Sequence, residues 1–419
     1  MRRLSRICLC IIIVMLAGGS VALGATAPAA QTTIRVWGGW GTFRDTLVKI
    51  TELFEAAHPD IHVEMQEVTG DMEGLIVQIV GGAAPDVYMV RAEQMPQFIY
   101  NGLVADLTAL FERDLNMADY LPAFGSMSVG GHYYGVPGEG GGYREDAMYV
   151  NRDIFRNAGI EIPGPEIEDA LSFDEWTALA RRLTIDRDAD GEPEQWGTHF
   201  RTTRWYFFLP SNGVSVFTEG HTDTQIDRPG AIEVLRYLQD LHHTYRVSAP
   251  NSYWFETQGN VAMNILWRPR VAVADQTIAG KFDWSVAPIP AGKAGSVGLT
   301  KMNPMAINPH TEHLEEAWTF LKFLLSEPAQ RINALEGRAT VLRSVALDPE
   351  FVFSDKPPYN LMPFLGGNAV DVTLQFEPPG VRRPEAVSQA LAALWRGEIP
   401  PETAAERMAA AWRAALSQR

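Results

Sequence analysis

Thr33-Ile34-Arg35-Val36-Trp37-Gly38-Gly39-Trp40-Gly41-Thr42 joins a short β-branched run to a glycine-rich turn carrying two indoles, and a helical pattern starts directly after it. The run reads as a strand, and Thr42 caps the helix in a Thr-x-x-Asp pattern with Asp45. A turn of this kind sits at the carboxyl end of a strand, where open α/β sheets hold their ligands. Its glycines let a ligand approach the backbone, and its indoles offer flat apolar faces. A molecule with a flat apolar face and a polar rim fits, and a sugar is the first candidate.

The same unit repeats outward from this turn. Leu47, Ile50, Phe54 and Ala57 form the buried face of the first helix before Pro59 stops it, and Ile61, Val63 and Met65 alternate as a second strand. Asp71 opens a helix carrying Leu75, Ile76, Ile79 and Val80, Gly81-Gly82 closes it, and Asp86–Val90 is a third strand. Repeated βα units of this length imply a parallel sheet covered by helices. The pattern loosens after Asn101-Gly102, and the glycine run Gly138-Glu139-Gly140-Gly141-Gly142 reads as a hinge. A strand at Ala147–Val150 follows, then a helix capped by Ser172 in a Ser-x-x-Glu box and another after Pro229. Ala287-Pro288-Ile289-Pro290 reads as a second crossing, after which the helix around Leu314, Trp318, Leu321 and Leu325 returns to the first unit. Pro384–Trp395 and Pro401–Leu416 are the last two helices.

Residues 1–24 have the form of a secretion signal, with Arg2, Arg3 and Arg6 ahead of an apolar run from Ile7 to Ala17 and a small-residue cleavage site at Ala22-Leu23-Gly24. Gly19 stands where a lipoprotein signal would place its cysteine, so no lipid anchor is expected. Both cysteines, Cys8 and Cys10, lie inside this leader, which leaves the mature chain without thiol, disulfide or cysteine metal ligand. A periplasmic or extracellular location fits. Formal charge is 35 − 51 = −16, and removal of the three leader arginines makes it −19. That balance argues against nucleic acid and anionic membrane surfaces as partners.

Several motifs in order resemble bacterial extracellular solute-binding proteins of the carbohydrate-uptake ABC class (family 1, maltose-binding-protein-like). They are Val36-Trp37 before a capped helix, Phe54-Glu55-x-x-His58-Pro59, Gly81-Gly82-x-x-Pro85-Asp86-Val87 and Tyr134-Gly135-Val136-Pro137. Further along come Tyr149-x-Asn151-x-Asp153-x-Phe155-x-x-Ala158-Gly159, Gln258-Gly259-x-x-Ala262-Met263, Ala317-Trp318-x-Phe320-x-x-Phe323-Leu324 and Asp348-Pro349-Glu350-Phe351. The resemblance implies an α/β, two-lobed periplasmic-binding-protein fold of type II, each lobe a mainly parallel sheet flanked by helices, joined by hinge crossovers. Lobe 1 would comprise 32–143 and 290–338, and lobe 2 would comprise 146–287 and 342–419. A monomer is implied that binds a small-molecule carbohydrate between the lobes, needs no cofactor, and presents its closed form to membrane permease subunits.

Carried over residue by residue, the resemblance puts Trp37, Gly38 and Trp40 on the ligand, with ordinary lobe core as the alternative for Trp37. Asp71 would supply a carboxylate, or serve only as a helix cap. Arg91 and Glu93 follow the third strand, and Tyr143 and Arg144 stand just before the Tyr-x-Asn strand. In the second lobe Trp205 or Tyr206, Trp254 and Trp267 are the stacking candidates; Trp267 precedes Arg268-Pro269-Arg270, two places earlier than the family's usual tryptophan. Arg144, Arg201, Arg204, Arg268, Arg270 and Lys301 lie on segments able to approach the cleft. Their convergence would indicate a charged ligand such as a uronate or sugar phosphate, and surface ion pairing is the alternative.

Other chemistry is thinly represented. Asp186-Arg187-Asp188-Ala189-Asp190-Gly191 matches the first half of a calcium loop, but Gly197 stands where the bidentate glutamate belongs, so a polar surface loop is the expectation. No His-Glu-x-x-His or Gly-x-Ser-x-Gly is present. A secreted glycoside-acting enzyme and a binder of non-sugar anions stay open as alternatives, and no catalytic residue is expected.

Overall fold

The computed structural model describes residues 31–38, 41–67, 71–125, 128–140, 144–268, 270–336, 338–375, 378 and 381–418. The expected leader, Gly39, Trp40 and Tyr143 lie outside these residues.

The opening β-branched run forms β1 (Thr32–Trp37), and the helix that follows is α1 (Gly41–Ala57). β2 (Ile61–Met65), α2 (Asp71–Val80) and β3 (Val87–Met89) complete two βα repeats. β1 pairs in parallel with both β2 and β3. β4 (Val136–Gly140) and β9 (Met302–Ile307) extend this sheet to the order β2-β1-β3-β9-β4, with β9 antiparallel to both neighbours. The two-residue period of β1 sends Ile34 and Val36 to one face, against Leu47, Ile50 and Phe54 of α1 and Trp318 and Leu321 of the helix Leu314–Leu324. It sends Trp37 to the other face, among Met72, Leu75, Tyr88 and Phe98.

The second sheet has the order β6-β5-β7, from β5 (Asp146–Asn151), β6 (Met263–Trp267) and β7 (Trp284–Ala287). Here the strand direction departs from the parallel expectation, because β5 is antiparallel to both neighbours. β6 and β7 run parallel to each other on either side of β5, with the helix Arg270–Ile278 as the crossover between them. Single parallel bridges, Trp196↔Val261 and His199↔Asn264, lay the segment before Arg201 alongside β6. Both faces of β5 are covered. Met148 and Val150 join a core with Trp176, Leu235 and Trp412, while Ala147 and Tyr149 join another with Phe255, Trp284 and Phe364. Tyr149 stacks on Trp284 at 5.6 Å between ring centroids.

Local signals read from the sequence reappear as geometry. Ser172 accepts from the backbone N–H of Glu175 while the Glu175 carboxylate accepts from Ser172, a capping box for the helix Phe173–Leu183. The crossings differ in place. β8 (Gly298–Thr300) pairs with β10 (Ala369–Asp371), and Ile289 and Leu299 belong to the second lobe's core, so the chain crosses at Lys301 instead of Pro288–Pro290. The Ala287–Pro290 stretch is held there because Gly292–Gly295 folds into a tight turn, within which Ala294 donates to Ser211 O. The last crossing also comes later than residue 342. Leu342 bridges Tyr120, and Asp348 pairs with Arg331, whereas Ser285 donates to Pro358 O and Tyr359 donates to Asp283. Among the described residues no helix is long and apolar enough to cross a membrane.

Candidate ligand-binding site

Two sheet edges border the crossings. On the first lobe, the carboxyl ends of β1 and β3 stand beside the start of β9, which collects Gly38, Arg91, Glu93, Lys301 and Asn303. The Asn303 amide oxygen accepts from Ala92 N at 3.0 Å, and Glu93 pairs with Lys301 at 3.8 Å. The one-turn helix Ala92–Gln94 touches the turn Val372–Gln375 of the second lobe. Arg91 is half-buried and already has a partner.

Two expected ligand contacts on this lobe turn out to be structural. Trp37 is 3 % exposed and fills the core described above. A Cβ on Gly38 would collide with Leu47 Cδ2, so the glycine gives the Leu47 side chain of α1 room at the end of β1. Asp71 is the first residue of α2, and its side chain is outside the described set, as are Trp40 and Tyr143.

Arg144 is likewise corrected. It is 1 % exposed, lies beside the buried Asp146 and donates from Nη2 to Ser296 Oγ at 3.1 Å. Gly298 leaves the space its guanidinium occupies. Burial pushes the Arg144 pKa down and the Asp146 pKa up, each the penalty for holding charge away from water. This pair fastens the first crossing to β8. The sequence placed Arg144 beside the Tyr-x-Asn strand correctly but gave no sign of which way it turns.

On the second lobe the expected residues do converge. β6 ends at Trp267, opposite Asp146 where β5 enters from the first lobe, and Arg268 N donates to Glu145 O across that end. The parallel segment at His199 brings Arg201 to the same end. The guanidinium carbons of Arg201 and Arg270 lie 3.9 Å and 4.6 Å from the Trp254 ring centroid. Those of Arg204 and Arg270 lie 4.4 Å and 5.6 Å from that of Trp267. The result is one alternating row, Arg201–Trp254–Arg270–Trp267–Arg204, with every member half-buried. Each contact combines ring quadrupole attraction with apolar burial of the guanidinium face.

Polar partners fix the row. Arg270 pairs with Glu256, whose side chain is almost wholly enclosed. Arg201 donates to Asn251 O at 3.2 Å, and Arg204 donates to Tyr206 Oη at 2.8 Å. Burial, then the neighbouring Arg204 charge, lowers the Arg201 pKa; burial also lowers that of Arg270, with Arg201 contributing repulsion. Trp205 and Tyr206 are themselves buried and line a cavity of about 450 Å³ closed by Trp395, Met408 and Trp412 of the last two helices. Glu256, Asn251 and that helical wall were not anticipated. A discernible signal was the run Trp267-Arg268-Pro269-Arg270, in which cations follow an indole directly. Arg268 and Lys301 stay outside the row, over Phe364 at 5.4 Å and on Glu93 respectively.

Asp186, Asp188 and Asp190 lie with carboxylate oxygens within 4.8 Å of one another, all exposed. Asp186 accepts from Gly191 N and Asp190 from Glu192 N, and Arg246 donates to Gly191 O. These are the bonds of a polar turn.

Two lobes of mixed α/β structure, connected by crossings beside which both sheet edges end, define a type II periplasmic binding protein. The chain belongs to the bacterial extracellular solute-binding protein family, whose pattern it matches over residues 40–331. It is 26 % identical over 354 residues to an uncharacterized lipoprotein of Streptomyces antibioticus, covering 78 % of this chain and 73 % of that one. In structure it resembles the sugar-binding protein MalE of Xanthomonas citri, with TM-score 0.74, 17 % identity and coverage of 93 % and 98 %. It also resembles the cyclic α-maltosyl-1,6-maltose binding protein of Arthrobacter globiformis, with TM-score 0.70, 19 % identity and coverage of 93 % and 100 %.

Proposed function

We propose that the protein is the extracytoplasmic substrate-binding component of an ABC importer, and that it takes a sugar or oligosaccharide between its lobes and delivers it to membrane permease subunits. The observation that carries this reading is the family match spanning most of the chain, on an architecture with half-buried Trp254 and Trp267 at the edge where the lobes meet. The sugar-binding neighbours support the ligand class. The indole edges between the guanidinium groups provide apolar surface for sugar C–H groups, and the donors around them provide for ring oxygens. Trp40, Tyr143, Asp71, Arg91 and Glu93 are the candidates from the first lobe. Export through a cleaved leader ending near Gly24, without the lipid that the Streptomyces relative's name implies for that protein, completes the proposal. The protein acts as a monomer and catalyses nothing.

Incubation of the purified protein with neutral, acidic and phosphorylated saccharides tests this reading. Thermal stabilisation by a saccharide recovered unchanged is the expected result. Turnover of the sugar would replace it with the glycoside-acting alternative.

A further inference from the structure

We propose that the carbohydrate this protein takes carries an oxyanion, either a uronate carboxylate or a sugar phosphate, and that Arg201 and Arg204 hold it. The inference rests on the carbohydrate-binding reading and narrows its substrate class.

The charge accounting around the row is the first support. Several arginines elsewhere in this acidic chain have carboxylates at hand, while others, such as Arg246 and Arg343, hold backbone carbonyls. Arg113 bridges Asp114 and Glu315, Arg331 bridges Glu327 and Asp348, and Arg413 bridges Asp223 and Asp227. Arg201 and Arg204 have a backbone carbonyl and a phenol instead, and among the described residues neither meets a carboxylate. With Arg270 they place three guanidinium groups in one row, with Glu256 paired to Arg270 and the Glu145 carboxylate near Tyr206 as the nearby negative charges among the described residues. Gathering like charges in a half-buried setting is unfavourable unless a counter-charge arrives.

Donor chemistry is the second support. A guanidinium offers donors only, in a planar fork. The rim of a neutral sugar presents O–H groups that need acceptors as well as donors, which carboxylates and amides supply and arginines do not. Because indoles cover the guanidinium faces, what Arg201 and Arg204 can offer a ligand is N–H edges, the arrangement that holds a carboxylate or phosphate by two parallel bonds. The position is the third support. Both arginines stand at the end of the second sheet where the first crossing enters, on the side that meets the other lobe.

Calorimetric titration of the full mature protein with digalacturonate, glucose 6-phosphate, maltotriose and inorganic phosphate tests the proposal. One of the two acidic sugars should bind more tightly than maltotriose, and which one wins identifies the oxyanion. In R201Q and R204Q that affinity should fall about tenfold or more, the loss of a charge-assisted hydrogen bond. The thermal midpoint serves as the folding control, and R204K should recover only part of the loss, since it restores charge without the fork. Maltotriose binding as tightly as both acids, and equally in the glutamine variants, would overturn the oxyanion while leaving the carbohydrate reading intact. Inorganic phosphate matching the acidic sugars would overturn it by reducing the row to an ion site. Failure of every saccharide would overturn both readings together.

Discussion

The two edges that border the crossings use tryptophan in opposite ways. On the first lobe the indole at the end of β1, Trp37, turns into the core between β3 and α2, and the edge is left to charged and amide groups such as Glu93, Lys301 and Asn303. On the second lobe the indole at the end of β6, Trp267, stays half-exposed and joins a row of arginines. A strand-end tryptophan is therefore not in itself a ligand platform. What decides its role is which face the two-residue period gives it, and whether a helix already covers that face.

Replacement of Trp37 by alanine should expose this difference most strongly. Emptying so enclosed an indole site should cost about 3–5 kcal/mol of stability, read as a lowered denaturant midpoint, with saccharide affinity unchanged below the unfolding temperature. Selective loss of affinity at unchanged stability would make Trp37 a ligand residue after all.

Acid should separate the lobes next. His199 lies buried and His242 half-buried in the second lobe, beside Asn264 and Phe200, and desolvation pushes their pKa values down to about 3 and about 4. Both are neutral in the folded and unfolded states above the ordinary histidine value near 6.5. Below it the unfolded chain gains protons that the fold refuses, so stability falls by about 1.4 kcal/mol per pH unit for each histidine. The decline for His242 levels off near pH 4 and that for His199 near pH 3. Hydrogen exchange between pH 7 and pH 4 should show the second lobe loosening first, and H199N with H242N should flatten the slope. Uniform loosening of both lobes would contradict it.

The smallest effect is expected at the first lobe's surface pair. E93Q should change stability by no more than about 0.5 kcal/mol, read as a small shift of the thermal midpoint, because Glu93 and Lys301 both keep contact with water at 3.8 Å separation. A larger change would mean that this edge contributes to holding the lobes together through the Ala92–Gln94 contact.

Where local chemistry decides, the sequence was readable. The strand at Thr33–Trp37 and the helix that follows it, the βα repeat through Val90 and the Ser172 box each depend on residues a few positions apart, and each stands where expected, although the helix begins at Gly41, ahead of the expected Thr42 cap. Direction and partnership across long separations were not readable. Ala287–Pro290 looks like a linker because prolines end strands, yet the turn that follows it is tied through Ala294 N to Ser211 O, some eighty positions away. Arg144 looks like a cleft arginine until Ser296 and Gly298 enclose it. The row itself depends on the bridge at His199↔Asn264, which brings Arg201 and Trp267 to one end of a sheet. Nothing in either segment announces that bridge, although the residue types that populate the row were all recognised.

The central claim is that the second lobe's arginine–tryptophan row is the surface that selects the ligand. The most direct test compares wild type with the W254A/W267A double variant by calorimetry, using the best-binding saccharide, with thermal midpoints measured in parallel. The account predicts a folded variant whose affinity is at least about tenfold weaker, as expected for lost aromatic surface and disordered arginines. Unchanged affinity in a folded double variant would contradict it and move the site elsewhere.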